Sequence, residues 1–529
     1  MRFNTHLDER GKYTQEIIED IFASRNIAHP KTFMNPTKRH LLPLDSLPNV
    51  DKAYRTIFDG IAKGKRFTVL FDCDLDGVSS GTIITRYLRQ FGANINTVIN
   101  PKKLHGVHDI NALRDCEILI IVDSLDGTIK NYRELKDLGI EIIVMDHHAV
   151  DPKIPYDDVV TLVTSQTTYK NHELSGAGVV WKCCKYFDSQ QGTDYADAYV
   201  DLAACGLVGD MVSMAVMENR YIVKQGINNL NNLAVKKILK SYEFNATAIS
   251  FSVAPMINAS MRVNYNQYAM EAFLCDDPKQ MRGLMKALRS GRELQDEEVK
   301  RVLPDIIKQC EAQIDRKMIT IIFKSEYGIS GLIGNKLLPI YKRPILVLQA
   351  EKDFYHGSMR AVGTDDFRKL LNDSGLAKAE GHELASGITV EKENLKALRD
   401  YVENNFVIEV GEITVDADMQ LSMEDLSLDL YDEIHKLDMV SGSGFAPITA
   451  YVDGITNYDI STLSNGKHLV ITPAGDNVQF VYWNKGDLEE EYLDHSIYGD
   501  ELRLVGTISK SFYPHTMTQI VIRELEAVA

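Results

Sequence analysis

Ile140-Glu141-Ile142-Ile143-Val144-Met145 runs directly into Asp146-His147-His148. The first six residues form an apolar run of strand length, the pattern of a strand buried on both faces of a parallel sheet. In such sheets polar chemistry collects beyond the carboxyl ends of the strands. A carboxylate followed by two imidazoles at that place can hold a divalent cation. It can equally be a turn cap, and the flanking sequence has to decide between the two.

Outward from this stretch the same design recurs. Lys65–Phe71, Ile95–Asn100 and Glu117–Val122 read as strands, with helices over Val78–Phe91 and Lys130–Leu138 between them. Alternation of this kind predicts a doubly wound parallel sheet, an α/β fold. Each strand ends in polar residues: Asp72-Cys73-Asp74-Leu75-Asp76-Gly77, Asn100-Pro101-Lys102-Lys103, Asp123-Ser124 and Asp146-His147-His148. Ser175-Gly176-Ala177-Gly178 opens a helix over Val179–Phe187, and a buried helix from Asp197 closes at Gly209-Asp210.

The opening Asp-x-Asp-x-Asp-Gly is shared with calcium-binding EF-hand loops, but those need a glutamate at the twelfth position and flanking helices. Here Ile83 stands at that position and a strand precedes the run. Aspartates at four such ends plus a histidine are too hard and too numerous a set for one zinc ion. They suit two Mn²⁺ or Mg²⁺ ions sharing a carboxylate, the arrangement used in phosphoester hydrolysis.

The chain has 529 residues, 44% of them hydrophobic and 25% charged, which suits a soluble protein of about three domains. No apolar run reaches the ~18 residues of a membrane helix, and the N-terminus lacks the apolar core of a signal peptide. Seven cysteines, an odd number without a CxxC, point to free thiols in a reducing cytoplasm. The net charge of −17 argues against a nucleic-acid partner. Metal-holding carboxylates and a local basic groove both weaken that argument.

Beyond the first unit, Asp277 to Arg316 is highly charged at helical spacing, interrupted near Gly291 and Pro304, and reads as a long connecting helix with a solvated face. A second α/β unit follows, with strands at Met318–Phe323, Pro344–Gln349 and Phe354–Val362 and a helix within Ile329–Tyr341. After Ile408 the texture changes to short strands near Ile413, His468, Val478, Leu502 and Gln519, separated by Gly and Asn turns. Five such strands predict a small β-barrel.

Asp72–Gly77, Asp123, Asp146–His148 and Gly209-Asp210 match, in order and spacing, the four motifs of the DHH phosphoesterase superfamily. Leu174–Val179, Glu218-Asn219-Arg220, Ala254–Ala259 with Arg262, Tyr327–Ile333, Gly357–Arg360, Gly381–Gly387 and Ser441–Pro447 extend the match, and the chain resembles RecJ-type single-strand-specific exonucleases over roughly residues 50–525. The resemblance implies an N-terminal arm (1–50), a catalytic DHH domain (51–275), a connecting helix (276–316), a DHHA1-like substrate-binding domain (317–407) and an OB-fold domain (408–529). It implies Asp74 and Asp123 on one metal ion and Asp76, Asp123, His147 and Asp210 on the other. His148 would orient the site or touch the scissile phosphate, with Asp146 as its support. Ser358 and Arg360 resemble a pocket for a 5′-terminal phosphate, aided by Lys102, Lys103 and His105. Arg262, Gly381 and His382 resemble substrate-contacting residues, and Tyr482 and Trp483 are candidates for base stacking.

The function implied is 5′→3′ hydrolysis of single-stranded DNA to mononucleotides with Mn²⁺ or Mg²⁺, by a cytoplasmic monomer that a single-strand-binding protein could accompany, in repair, recombination or replication. Two alternatives stand beside it: a phosphodiesterase of oligoribonucleotides or cyclic dinucleotides, and a non-catalytic replication scaffold. Cys73, Ser124, Glu380 and Ser386 depart from the usual residues, and His105–Ile110 resembles the corresponding stretch only loosely. None of these removes an expected ligand.

Overall fold

The computed structural model describes residues 2–5, 15–101, 105–407, 414–475, 477–512 and 515–528. Its first unit is built on a five-stranded, all-parallel sheet in the spatial order Asn94–Ile99, Arg66–Phe71, Ile118–Val122, Glu141–Asp146, Thr161–Thr164. Ile118–Val122 is buried along its whole length, as an apolar run with helices on both faces must be. The chain order makes Arg66–Phe71 and Ile118–Val122 neighbours, with Phe71 opposite Val122. Connections leave in opposite directions from this pair, and such a switch point opens a crevice at the strand ends. Asp72 and Asp123 are the next residues on the two strands.

Local sequence starts the helices that wall the crevice. Asp74 caps Leu75–Arg89 by accepting from the N–H groups of Asp76 and Gly77 at 3.1 and 3.2 Å. Ser175 caps Gly176–Gln191 through the Gly178 N–H at 3.3 Å. Thr161–Thr164, a short edge strand, is an addition to the strands read from sequence.

The connecting segment is one helix of 34 residues, Pro278–Glu311, which continues through Gly291 and Pro304. Burial of Met281, Met285, Leu288, Val299, Val302 and Ile306 along one stripe outweighs the hydrogen bond that proline removes. Its face is therefore less solvated than its charges imply. The second α/β unit is a mixed five-stranded sheet in the order Ala377–Gly381, Ala385–Glu391, Phe354–Arg360, Ile345–Ala350, Ile319–Phe323.

The C-terminal unit departs from the five-strand barrel expected. Its seven-stranded sheet runs Met419–Leu421, Thr449–Ile455, Glu501–Ser511, Met517–Val528, Val478–Tyr482, His468–Pro473, Tyr458–Leu463, and among the described residues its two edges do not pair. Ile413 lies outside the described residues. Thr449–Ile455 and Tyr458–Leu463 interleave polar and apolar side chains and lacked the apolar runs that mark the other strands. Helices Leu428–Asp438 and Glu489–Tyr498 were likewise not foreseen. Tyr482 is tied down by donating to the Arg523 carbonyl at 3.1 Å. Trp483 is 45% exposed and edge-on to His468.

One continuous apolar cluster joins the first unit to the C-terminal sheet. The second α/β unit has separate clusters, one of them shared with the end of the long helix. All seven cysteines are buried and free, and no described helix is long and apolar enough to cross a membrane.

Within the first unit Lys182 and Glu218 form a fully buried ion pair at 2.7 Å. Glu218 also accepts from the Tyr169 hydroxyl and the Leu42 N–H at 2.7 and 2.9 Å, and Lys182 donates to the Leu42 carbonyl at 2.8 Å. Removing one partner strands the other charge without water. Lys182→Met should therefore cost about 3–5 kcal/mol, read as a lower urea midpoint, and Glu218→Leu in the same chain should restore part of it. An unchanged midpoint in the single variant would show the pair to be inert.

Candidate metal centre

Asp72, Asp74, Asp76, Asp123, His147, His148 and Asp210 converge at the switch point. Three triads, Asp72/Asp74/Asp123, Asp123/His147/His148 and Asp76/His147/Asp210, each bring one ligand atom per residue within 4.8 Å of one another. His147 Nε2 lies 3.1 Å from Asp123 Oδ1, 3.6 Å from Asp210 Oδ2 and 3.7 Å from Asp76 Oδ2. Asp123 belongs to two triads and joins the groups. Asp72 had been read only as part of its motif, and the geometry adds it to the candidate ligands.

Two backbone features make this approach possible. Asp123 has φ = 55°, a left-handed conformation that turns its carboxylate back over the strand ends. Gly176 and Gly206 face the carboxylates: a Cβ at either would fall 2.7 Å from Asp123 Oδ1 and 2.1 Å from Asp76 Oδ1 respectively. The same helix start donates the N–H groups of Gly176 and Ala177 to Asp76 at 2.7 and 2.9 Å, so the helix dipole partly offsets that charge.

The charges remain badly matched. Burial, followed by the fields of Asp76, Asp74, Asp72 and Asp146, raises the Asp123 carboxyl well above the carboxylate range. Burial likewise raises Asp76, against the lowering effect of His147. Asp123 Oδ1 is buried and accepts no hydrogen bond. A buried acceptor amid carboxylates is stabilised by a cation, and oxygen and imidazole donors are those of Mn²⁺ or Mg²⁺. The residues present thus fit a pair of such ions.

Asp146 is in none of the triads. Its Oδ2 accepts from the Leu125 N–H at 2.6 Å and its Oδ1 contacts His148 Nδ1 at 2.8 Å. Burial works upward on Asp146, but the charge and hydrogen bonds of His148 outweigh it and hold the carboxyl below its ordinary range. Burial conversely opposes the charged His148 ring, and the Asp146 carboxylate overcomes it, raising His148 to about 9. His105 packs against His148 with ring centroids 4.2 Å apart and the rings tilted by 51°. Ser124, one of the sequence departures, holds that loop: its Oγ accepts from Gly106 N–H and Asn100 Nδ2 at 3.0 and 3.2 Å. Lys102 and Lys103 lie outside the described residues.

A second cluster is basic. Arg262 ends the helix Ala254–Arg262 and donates to Gln295 Oε1 at 2.9 Å. Burial and then the fields of Arg292 and Arg360 lower its pKa. Arg360 donates to Asn335 Oδ1 at 2.5 Å, and its pKa is lowered by burial. Ser358 Oγ lies 2.9 Å from Ser330 Oγ, and Gly331 lets both side chains approach, since a Cβ there would fall 2.9 Å from Arg360 Nη2 and 3.3 Å from Ser358 Oγ. Gly381, at φ = 129°, pairs with Ser386, which pairs with Met359 between Ser358 and Arg360. His382 is exposed just past it. Arg292 was not singled out from sequence, because its charge looked like one more on a solvated helix. Its Nε is buried without a hydrogen bond.

Residues 66–207 match the model of the DHH family, N-terminal domain. These residues are similar to a DHH domain, and the fold around them is similar to that of RecJ. It is 27% identical over 447 residues, 77% of each chain, to YorK of Bacillus subtilis, an SPbeta prophage-derived protein named as a single-strand DNA-specific exonuclease. To the single-stranded-DNA-specific exonuclease RecJ of the same organism it is 25% identical over 496 residues, covering 88% of this chain and 61% of that one. The crystal structure of RecJ in complex with Mn²⁺ from Thermus thermophilus superposes with a TM-score of 0.77 at 20% identity, over 99% of this chain and 79% of that one. The resemblance drawn from the motifs is borne out.

The sign of the Asp146–His148 coupling is testable in chelator-treated protein. A raised histidine pKa contributes stability fully below the ordinary histidine value and loses it as pH rises through about 9. Asp146→Asn should bring the His148 titration down toward the ordinary value, read from its ring protons by NMR. A titration still near 9 in the variant would place the source of the shift elsewhere.

Proposed function

We propose that the chain is a metal-dependent exonuclease that hydrolyses single-stranded DNA from the 5′ end. The observation that carries this reading is the buried, hydrogen-bond-free Asp123 oxygen at the meeting point of the carboxylate triads. Asp72, Asp74 and Asp123 would hold one ion and Asp76, Asp123, His147 and Asp210 the other. Bound there, divalent ions supply charge to polarise the scissile phosphate and to lower the pKa of the attacking water.

The protein's own groups do the rest. Asp146 holds His148 charged and aimed into the site, where it would face a phosphate oxygen. Arg262, Arg292 and Arg360, of which Arg262 is held down by burial and by the fields of the other two, would take the strand's phosphates, Arg360 with Ser358 at the 5′-terminal one. Gly381, His382, His105, Lys102 and Lys103 would border the strand's path. The C-terminal sheet, in the part an OB-like module plays, would hold the strand farther on, with the exposed Trp483 as a stacking surface. We take residues 1–50, 51–275, 276–316, 317–407 and 408–529 as the working units of a cytoplasmic monomer that meets single-strand-binding protein on its substrate.

Asp123→Ala should abolish Mn²⁺-dependent release of nucleotides from 5′-labelled single strands, and retained activity would end the two-ion reading. Arg360→Ala should raise KM for 5′-phosphorylated strands ~10- to 150-fold, the value of about 1.5–3 kcal/mol for hydrogen bonds to a charged group. Unphosphorylated strands should be affected less. Equal losses on both would place Arg360 elsewhere on the strand's path, and cleavage of dinucleotides in preference to long strands would favour a small-substrate phosphodiesterase.

A further inference from the structure

Asp210 differs from the other carboxylates of the centre. Its side chain is 33% exposed, against 2% for Asp76 and 4% for Asp123. It stands at the C-terminal end of the helix Val200–Gly209, whose last turn closes through Asp210 N–H to Gly206 O at 2.9 Å. Met211 then takes a left-handed turn (φ = 57°) and is 73% exposed. The segment that follows is held to the first unit by Val212 N–H donating to Leu207 O at 3.3 Å and by Asn219 Nδ2 donating to Ser213 O at 3.1 Å.

The C-terminal unit grips the same segment. Four residues after Asp210, the Met214 N–H donates to the carbonyl of Ser443 at 2.7 Å. Gly444 packs so closely on the intervening Ser213 that an added Cβ would lie 2.2 Å from its Oγ and 3.2 Å from its Cβ. The loop carrying Ser443 and Gly444 is itself anchored. Phe445 packs against Phe33 and Phe22 with ring centroids 5.0 and 5.9 Å apart. The guanidinium groups of Arg25 and Arg220 each lie 4.8 Å from its centroid. Arg220, buried, also donates to the carbonyls of Val440 and Phe33 at 2.8 Å each.

We infer that loop 441–447 of the C-terminal unit is a positioning element for Asp210, so that the ion held by Asp76, His147 and Asp210 depends on that unit. This inference rests on the two-ion reading above. Gly444 is the positioning residue: only a residue without a Cβ lets the loop close on Ser213, and its φ of 69° is left-handed. A shift of Ser213 would be carried to Asp210 through Val212 and Met211. The C-terminal unit would then act on the chemistry as well as on the strand.

The test is Mn²⁺ binding to the full chain, followed by the loss of the free-ion signal in electron paramagnetic resonance. Gly444→Asn keeps a residue that tolerates the left-handed conformation but sets its Cβ against Ser213. The parent should bind two ions. The variant should keep one and bind the other ~10- to 100-fold more weakly, as loss of an outer support does at metal sites. Adding Ser213→Gly removes the collision and should restore the second ion, which a general loss of stability would not do. Should Gly444→Asn fail to fold, Phe445→Leu loosens the same loop without a collision and should weaken the same ion. A folded Gly444→Asn or Phe445→Leu protein binding two ions as the parent does would overturn the inference. If the parent binds no Mn²⁺, or Asp123→Ala binds it equally well, the two-ion reading itself falls.

Discussion

Carboxylates cannot be gathered in a buried space without a countercharge, and much of this architecture is an answer to that constraint. The strand order places Asp72 beside Asp123 at the switch point. Asp74 spends part of its charge on its own helix start, and Asp76 rests on the N–H groups of a second helix. Asp146 is matched by His148. Asp123 keeps one oxygen that nothing in the described protein donates to. The cost of holding it there is borne by a core that extends, without a break, from the first sheet into the C-terminal unit. Asp74, Asp76 and Asp146 are thus partly compensated from within, whereas Asp123 Oδ1 accepts no hydrogen bond and lies 3.1 Å from His147 Nε2, where a cation would meet it.

The arginines present the inverse problem. Arg262, Arg292 and Arg360 come from a helix end, the long connecting helix and the second sheet; Arg262 and Arg360 are drawn partly out of water, and Arg292 lies 3.6 Å from Asp296. An acidic protein of net charge −17 has thus assembled a local positive region. A polyanion bridging the two clusters would relieve both, its phosphates meeting guanidinium groups at one end and ions at the other. Composition describes the average surface, whereas recognition depends on such local reversals.

How much of this was legible in the sequence varied with the kind of signal. The parallel sheet was read from apolar runs such as Ile118–Val122, because burial on both faces leaves no alternation to misread. The strand-end ligands followed from those runs. Asp72 is absent from the ligand set that the resemblance implies, and only the folded turn brings its carboxylate beside Asp74 and Asp123. Arg292 was hidden because a charge on a helix gives no sign of what packs over it. Ser124 looked like a mere departure until its hydroxyl was seen holding Gly106. The C-terminal sheet was the least legible: its half-buried strands carry Thr, Asp and Ser among the apolar residues, and two of its pairings, Met419–Leu421 with Thr449–Ile455 and Val478–Tyr482 with Met517–Val528, are parallel between strands far apart in sequence.

The left-handed backbone of Asp123 has an evolutionary consequence. A side chain held at φ = 55° carries a conformational cost of about 1–2 kcal/mol for most residues, and Gly, Asn and Asp bear it best. Substitution by Gly or Asn would also remove a carboxyl that burial and the neighbouring aspartates disfavour as an anion. The mutations that most easily silence the centre are therefore ones the fold should welcome as stabilising. A lineage released from selection on activity would drift toward them quickly, while its sheet, its glycines and its arginines stayed in place. Aspartate at this position therefore costs the fold a stability that glycine or asparagine would not.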